Sequence, residues 1–400
     1  MKKTLFQSLI YAYVSIKFVA LLFIPSLALA ATPALEVSGW IPYWHDSEAI
    51  KDAKKHLSDL DAVYPFAFSV KEDGTLKDLA GLGESDWKAF IKSAKRKKVE
   101  IIPTIMWSDG QNIDRILSNT KLRKAHVKEI ADMVKDGRYD GVDIDYEAKL
   151  SDTYDAFGVF LKELDKALGS KTLACTIEAR TPPESLYRVI PEKINYANDY
   201  KAISKYCDQV EIMAYDQQRA DLLLNNEKKG YPYMPVSDVD WVEKVVELAL
   251  KDIPKEKIIL GMPTYGNHYQ ITVAPEWFRD YKRIGALNIP DILEVADEYK
   301  VNPGRNKAGE MSYTYFATSS PFKLLNVLPV PKGTLKGMEV AAKALLFANA
   351  TKMEVTFNYA SYSDATAVED KINLAKKYKL KGVALFKIDG EEDQDIWKSL

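Results

Sequence analysis

Eight short runs rich in β-branched and aromatic residues recur along this chain, alternating with helix-like amphipathic stretches, and that alternation is the pattern of a parallel sheet with crossover helices. The runs lie at Glu36 to Tyr43, Ala62 to Ser69, Glu100 to Trp107, Gly141 to Glu147, Thr172 to Ala179, Gln209 to Tyr215, Lys257 to Thr264 and Gly382 to Ile388. Helices are expected at Trp87 to Lys98, Leu122 to Lys135, Ala156 to Leu168, Trp241 to Lys251 and Ala367 to Tyr378. Eight strands of this kind close into a barrel. The spacing is regular until the stretch from Thr264 to Gly382, which is far longer than one helix and two loops require. Something is inserted there, with strands expected at Met311 to Ala317 and Met353 to Tyr359 and helices around Pro290 to Tyr299 and Leu335 to Ala348. The expected fold is therefore α/β: a (β/α)8 TIM barrel from residues 31–266 and 365–400, with a small α+β insertion at 267–364 over one side of its mouth. A chain of 400 residues that is 47% hydrophobic has the material for one barrel plus such an insertion.

The first 30 residues read differently. Met1-Lys2-Lys3 precedes an apolar stretch broken only by Lys17, and the small-residue site Ala28-Leu29-Ala30 ends it, in the order of a signal peptide cleaved after Ala30. An uncleaved anchor is the alternative, since Thr4 to Ala30 is long enough to span a bilayer. Either way the chain is expected to be secreted or associated with the cell envelope, and, after cleavage, not inserted in the membrane. No cysteine lies near Ala30, which excludes a lipid-modified cysteine there; Cys175 and Cys207 permit one disulfide or two buried thiols. The formal charge of -2 gives no reason to expect nucleic acid or an anionic membrane as partner, so neutral substrates are favoured, and a monomer is expected.

The segment Tyr139-Asp140-Gly141-Val142-Asp143-Ile144-Asp145-Tyr146-Glu147 carries the chemistry. On a strand, Asp143, Asp145 and Glu147 share one face, rising about 6.5 Å per two-residue step, while Val142, Ile144 and Tyr146 share the other. Glu147 comes last, at the C-terminal mouth where barrel enzymes keep their chemistry. Carboxyls stacked in a partly dry cavity cannot all ionise, because each charge and each lost water shell raises the pKa of the others. One proton held near neutral pH is what a general acid requires. A calcium loop starting at Asp143 would need Gly at its sixth position, where Ala148 stands.

Asp140-x-x-Asp143-x-Asp145-x-Glu147 resembles the signature of glycoside hydrolase family 18, the chitinases and related endo-N-acetylglucosaminidases. Met213-Ala214-Tyr215-Asp216 resembles the family's sixth-strand motif and Gly261-Met262-Pro263-Thr264-Tyr265-Gly266 its seventh-strand segment, in the expected order. The resemblance implies a substrate-assisted retaining mechanism on a polysaccharide or oligosaccharide containing N-acetylglucosamine, whose own acetamide oxygen attacks the anomeric carbon. It implies Glu147 as acid and then base, Asp145 as partner of the acetamide N–H, Asp143 sharing a proton below, and Tyr215 holding the acetamide oxygen. Met213, Asp216 and Tyr265 would line the sugar pocket. No cofactor is implied.

The chain departs from the family on two strands. Pro103-Thr104-Ile105-Met106-Trp107 stands where a Ser-x-Gly-Gly segment is usual, and Phe386 stands where a tryptophan normally lies under the sugar. With Lys379-Leu380-Lys381-Gly382 and Tyr362-Ser363-Asp364, these features resemble the bacterial branch of spore-cortex and cell-wall hydrolases, although no wall-binding repeat is visible. Trp40, Tyr43, Trp44, Phe68 and Trp107 are candidate sugar platforms, with core packing as the alternative. Glu178 and Arg180 are a candidate ion pair, of structural more than functional meaning. The four histidines, His45, His56, His126 and His268, show no metal-pair spacing, so no metal is expected. A non-catalytic glycan-binding protein on the same barrel is the competing function, and the presence of Glu147 argues against it.

Overall fold

The computed structural model describes residues 34–400; the signal segment expected over residues 1–30 lies outside them. Eight parallel strands close a barrel: Glu36–Pro42, Ala62–Val70, a third in two pieces (Glu100–Ile101 and Thr104–Trp107), Gly141–Tyr146, Thr172–Glu178, Gln209–Met213, Ile258–Pro263 and Gly382–Phe386. Closure comes from the first strand, which pairs with the second through Ser38 to Pro42 and with the eighth through Glu36 to Gly39. Each strand begins within two residues of its expected start, because a barrel strand writes its two faces as a period of two.

Those faces feed two cores. Outward residues such as Val142, Ile144, Tyr146, Ile177, Val210 and Ile212 are buried against helices that include Ser85–Arg96, Thr120–Gly137, Tyr154–Leu168 and Val239–Ala249. Inward residues form a smaller cluster of Trp40, Ala62, Tyr64, Ile102, Ala174, Ile259 and Ala384, which plugs the lower barrel. Cys175 and Cys207 form a disulfide, resolving the two possibilities left open by the sequence. It ties the fifth strand to the residue just after the helix Tyr200–Tyr206.

Between the seventh and eighth barrel strands stands a five-stranded antiparallel sheet, Gly266–Ala274, Trp277–Leu287, Gly304–Arg305, Met311–Tyr315 and Val355–Tyr362, with helices Ile289–Glu298 and Glu339–Thr351. The hairpin formed by its first two strands was not anticipated: it follows the seventh barrel strand almost directly, and its second strand is a largely exposed edge rich in charge. The buried carboxylate of Glu310 fastens this sheet to the barrel. It accepts from Val236 N (3.0 Å), Ser237 N (2.6 Å) and Ser361 Oγ (2.7 Å), and Ser237 Oγ in turn donates to Ala214 O (2.6 Å), beside Tyr215. Among the described residues, no helix is long and apolar enough to cross a membrane.

Candidate active site

The fourth strand delivers its acids inward. Thr104 and Met106 of the third strand stand in register with Asp143 and Asp145, and Ala174 and Thr176 of the fifth flank them from the other side. Asp143 is fully buried and satisfied: Trp40 Nε1 (3.2 Å) and Thr104 Oγ1 (2.8 Å) donate to one oxygen, Thr176 Oγ1 (2.8 Å) to the other. Burial pushes its pKa up, while the three donors pull it back. Asp145, one step higher, is also buried, and its Oδ1 has no protein partner. Burial first, then the charges of Glu147 and Asp143, drive its pKa well above the usual carboxylate range. That shift favours the protonated carboxyl, a form that can share its proton with a neighbouring oxygen.

Glu147 sits just past the strand end, half-buried, with its backbone N donating to Trp107 O at 2.8 Å. Its pKa is raised by burial and by the nearby charges of Glu178 and Asp216, against the pull of Lys149. The turn that holds it is over-determined. Ala148 adopts a left-handed φ of 52°, its N donates to Glu178 Oε1 (3.2 Å), and Gly110 packs so closely that a β-carbon there would lie 2.2 Å from Ala148 O. Lys149 is buried with its ammonium on Tyr146 O, 3.7 Å from Glu178 Oε2 and 4.9 Å above the Phe157 ring.

Across the mouth Tyr215 is buried, its ring stacked on Phe386 (5.3 Å between centroids) and edge-on to Tyr265 (6.4 Å). Phe386 in turn meets Trp40 (5.8 Å) and Phe66 (6.1 Å), so the eighth-strand aromatic is the hinge of an aromatic wall. Met213 packs against the Tyr215–Tyr265 group, and Asp216, at a left-handed φ of 53°, accepts from Asn267 Nδ2 at 3.1 Å. Glu147 also opens onto a cavity of about 480 Å³ lined by Tyr43, Phe66, Met106, Trp107, Asp109 and Glu72, among others.

Several expected sugar platforms are placed otherwise. Phe68 lies in the layer between sheet and helices: a register irregularity between Phe66 and Phe68 turns Ala67 and Phe68 outward together, and Phe66 takes the inward place. Trp40 is 1% exposed and serves as a donor beneath Asp143, with no face for a sugar. Trp107 shares the outward parity of Tyr146 and packs on it (5.3 Å) and on His126 (5.6 Å), reaching the cavity only as part of its wall. Trp44 is 45% exposed and edge-on to Phe66. Glu178 and Arg180 do not pair. Asn198 bridges them, donating to Glu178 Oε2 (2.7 Å) and accepting from Arg180 (2.7 Å), while Arg180 stacks on Tyr196 and Tyr200.

Sequence reasoning missed Thr104, Thr176 and Met106, although strand parity on the third and fifth runs points at all three. It also missed Glu211, inward on the sixth strand, whose carboxyl is raised to about 8 by burial and by Asp143. Tyr64 Oη lies 2.9 Å from Glu211 Oε1 and 3.1 Å from Gln209 Oε1, and its single proton serves only one of them, which fits a Glu211 that brings its own. For metal binding, one set converges among the described residues: His45, Asp389 and Glu391, with His45 Nδ1 3.4 Å from Glu391 Oε2. Lys387 already pairs with Asp389 there, so a cation of the chain's own fills the place.

Residues 36–391 match the family described as Glycosyl hydrolases family 18. Over 363 residues the chain is 22% identical to the uncharacterized glycosylase YvbX of Bacillus subtilis, covering 89% of this chain and 88% of that one. The spore cortex-lytic enzyme SleL of Bacillus cereus superposes with a TM-score of 0.65 at 19% identity, over 91% of this chain and 73% of that one. A chitinase from Chromobacterium violaceum superposes at 0.66 and 19% identity, over 92% and 98%. A closed (β/α)8 barrel with an acid-bearing fourth strand, matched to the family model over nearly all of the described residues, makes this chain a member of glycoside hydrolase family 18 and a glycoside hydrolase.

Proposed function

We propose that the protein is an exported hydrolase of β-linked N-acetylglucosamine polymers, peptidoglycan glycan strands or chitin, acting by a substrate-assisted retaining route. The barrel of residues 31–266 and 365–400 carries the chemistry, the insertion at 267–364 walls the mouth, and residues 1–30 direct export. In the first step the acetamide oxygen of the bound sugar bonds to the anomeric carbon as the glycosidic bond breaks, and the Glu147 proton passes to the leaving oxygen. Asp145 accepts from the acetamide N–H as positive charge spreads over the resulting ring. Asp143, fed by three donors, takes or returns the proton that Asp145 must shed. Tyr215 donates to the acetamide oxygen until it is aligned for attack. In the second step water bonds to the anomeric carbon, gives its proton to the Glu147 carboxylate, and the acetamide is released.

The observation that carries this reading is the unpartnered, buried Oδ1 of Asp145, between a satisfied Asp143 and a Glu147 that keeps access to solvent. A buried polar atom without a partner is costly unless a ligand supplies one. The test is turnover of N-acetylglucosamine oligomers and of purified peptidoglycan by the parent and by Glu147→Gln. Loss of the acid is expected to slow hydrolysis by at least ~100-fold. A variant as fast as the parent removes Glu147 from the role, and a parent that binds oligomers without releasing product favours a glycan-binding protein.

A further inference from the structure

The two flanks of the mouth differ in charge. The cavity beside Glu147, on the third-strand flank, has Glu72 and Asp109 as its charged lining besides Glu147, with Arg115 set behind them on Asn112 and the Glu72 carbonyl. On the insertion flank stand two exposed arginines, Arg219 and Arg283, whose side-chain contacts among the described residues are to a tyrosine ring and an asparagine and not to an acid. Arg283 is held by a neutral group: its Nε (3.3 Å) and Nη2 (2.9 Å) donate to Asn267 Oδ1, and Asn267 Nδ2 donates to Asp216 Oδ1 at 3.1 Å. The guanidinium is thereby oriented next to Asp216, whose carboxylate holds the other end of the same amide; Arg283 forms no ion pair among the described residues, and its Nη1 has no hydrogen-bond partner among them. Arg219 lies over the Tyr281 ring, 4.7 Å from its centroid. Tyr281 and Arg283 are two apart on one strand and so share a face, which makes Arg219, Tyr281 and Arg283 one cationic ledge beside Asp216.

From this geometry we infer that the ledge binds a carboxylate on the sugar next to the one held by Tyr215 and Asp145, so that the preferred substrate is a carboxylate-bearing glycan over a neutral one. The inference rests on the proposed placement of the reacting sugar. A planar guanidinium with free N–H groups matches a carboxylate in a way that a neutral hydroxyl does not. The acidic third-strand flank would repel the same group, so the two flanks together also set which way along the mouth the substituted sugar lies. A net charge of -2 suggested neutral substrates; the local distribution points the other way. Two carboxylates in peptidoglycan share the chemistry: the lactyl ether on alternate sugars, and the stem peptide.

Binding to the full chain carrying Glu147→Gln, by calorimetry, separates this inference from catalysis. The probes are peptide-free peptidoglycan strands, the same strands with lactyl carboxyls reduced to alcohols, strands retaining stem peptides, and neutral N-acetylglucosamine oligomers of equal length. Peptide-free strands are expected to bind about tenfold or more tighter than the reduced strands at low salt, and the gap to narrow as salt rises. Adding Arg283→Gln and Arg219→Gln is expected to collapse that gap, with Arg283→Lys keeping part of it. Preference confined to strands with stem peptides, lost with the same arginines, assigns the carboxylate to the peptide. Equal binding of all strands and neutral oligomers, or a gap that survives the double substitution, overturns the inference. If instead the parent merely hydrolyses nothing, the hydrolase reading falls and this one is still decided by the binding data.

Discussion

Val142, Ile144 and Tyr146 leave the fourth barrel strand on one side, and Asp143 and Asp145 leave it on the other, all almost completely shielded from water. The outward set is settled in every respect. Tyr146 is ringed by Trp107, His126, Phe157 and Phe160, and burial lowers the His126 pKa to about 4, so a neutral imidazole donates from Nδ1 to Gly74 O and accepts the Tyr146 hydroxyl at Nε2. The inward set is deliberately unfinished: Asp143 has all its donors, Asp145 lacks one, and Glu147 has access to a cavity. The contrast teaches that burial alone does not define a core. The outward face uses dryness to fix one arrangement, and on the inward face the same dryness raises the pKa of Asp143, Asp145 and Glu147.

That contrast can be broken at either face. The largest effect belongs to Glu147→Gln, which is expected to cost at least ~100-fold in turnover while changing the melting temperature little, since Glu147 is only half-buried. Ile144→Ala reverses the pattern: about 2–5 kcal/mol of stability lost to a cavity, measured by denaturant unfolding, with normal turnover in the folded fraction. A large loss of turnover per folded molecule would show that the two faces are not separable.

Glu211 sharpens the comparison through pH. Its carboxyl is raised from an ordinary 4.5 to about 8, so as pH climbs through that window the unfolded chain releases its proton first and stability falls. Glu211→Gln keeps the neutral shape and removes the loss. The variant's free energy of unfolding, measured by denaturant titration, is expected to match the parent's at and below about pH 4.5 and to exceed it increasingly up to pH 8, by an amount on the order of a few kcal/mol. Parallel curves would mean that Glu211 is ionised in the fold. The smallest effect is expected of Glu178→Gln. Removing that negative neighbour lowers the pKa of Glu147, so the alkaline limb of kcat/KM moves to lower pH, by less than about one unit. An unmoved limb, with activity intact, would detach Glu178 from the acid.

How much of this was legible in the sequence follows from the same two faces. A strict alternation such as Val142-Asp143-Ile144-Asp145 announces both strand and direction, and the barrel could be laid out from eight such runs. The alternation misleads where the backbone adds a residue, as between Phe66 and Phe68, because one unpaired residue exchanges the faces of everything beyond it. Asp143 was visible, but its donors Thr104 and Thr176 required the register of three neighbouring strands. The Asn267–Arg283 contact depends on a hairpin whose pairing shifts between His268 and Tyr269, and no local pattern records such a shift. The pairing of Cys175 with Cys207 was one of two readings, and only proximity in space chooses between them.

The Glu310 clamp bears on how a protein of this kind could be re-engineered. Because one carboxylate of the inserted sheet holds two backbone amides of the loop at Val236 and Ser237, and that loop grips the strand end carrying Tyr215, the insertion belongs to the scaffold of the sixth strand as much as to the wall of the groove. Grafting a foreign insertion to change what the groove accepts would have to bring an acid to the same point, or the graft would loosen a tyrosine on the barrel while appearing only to exchange a wall.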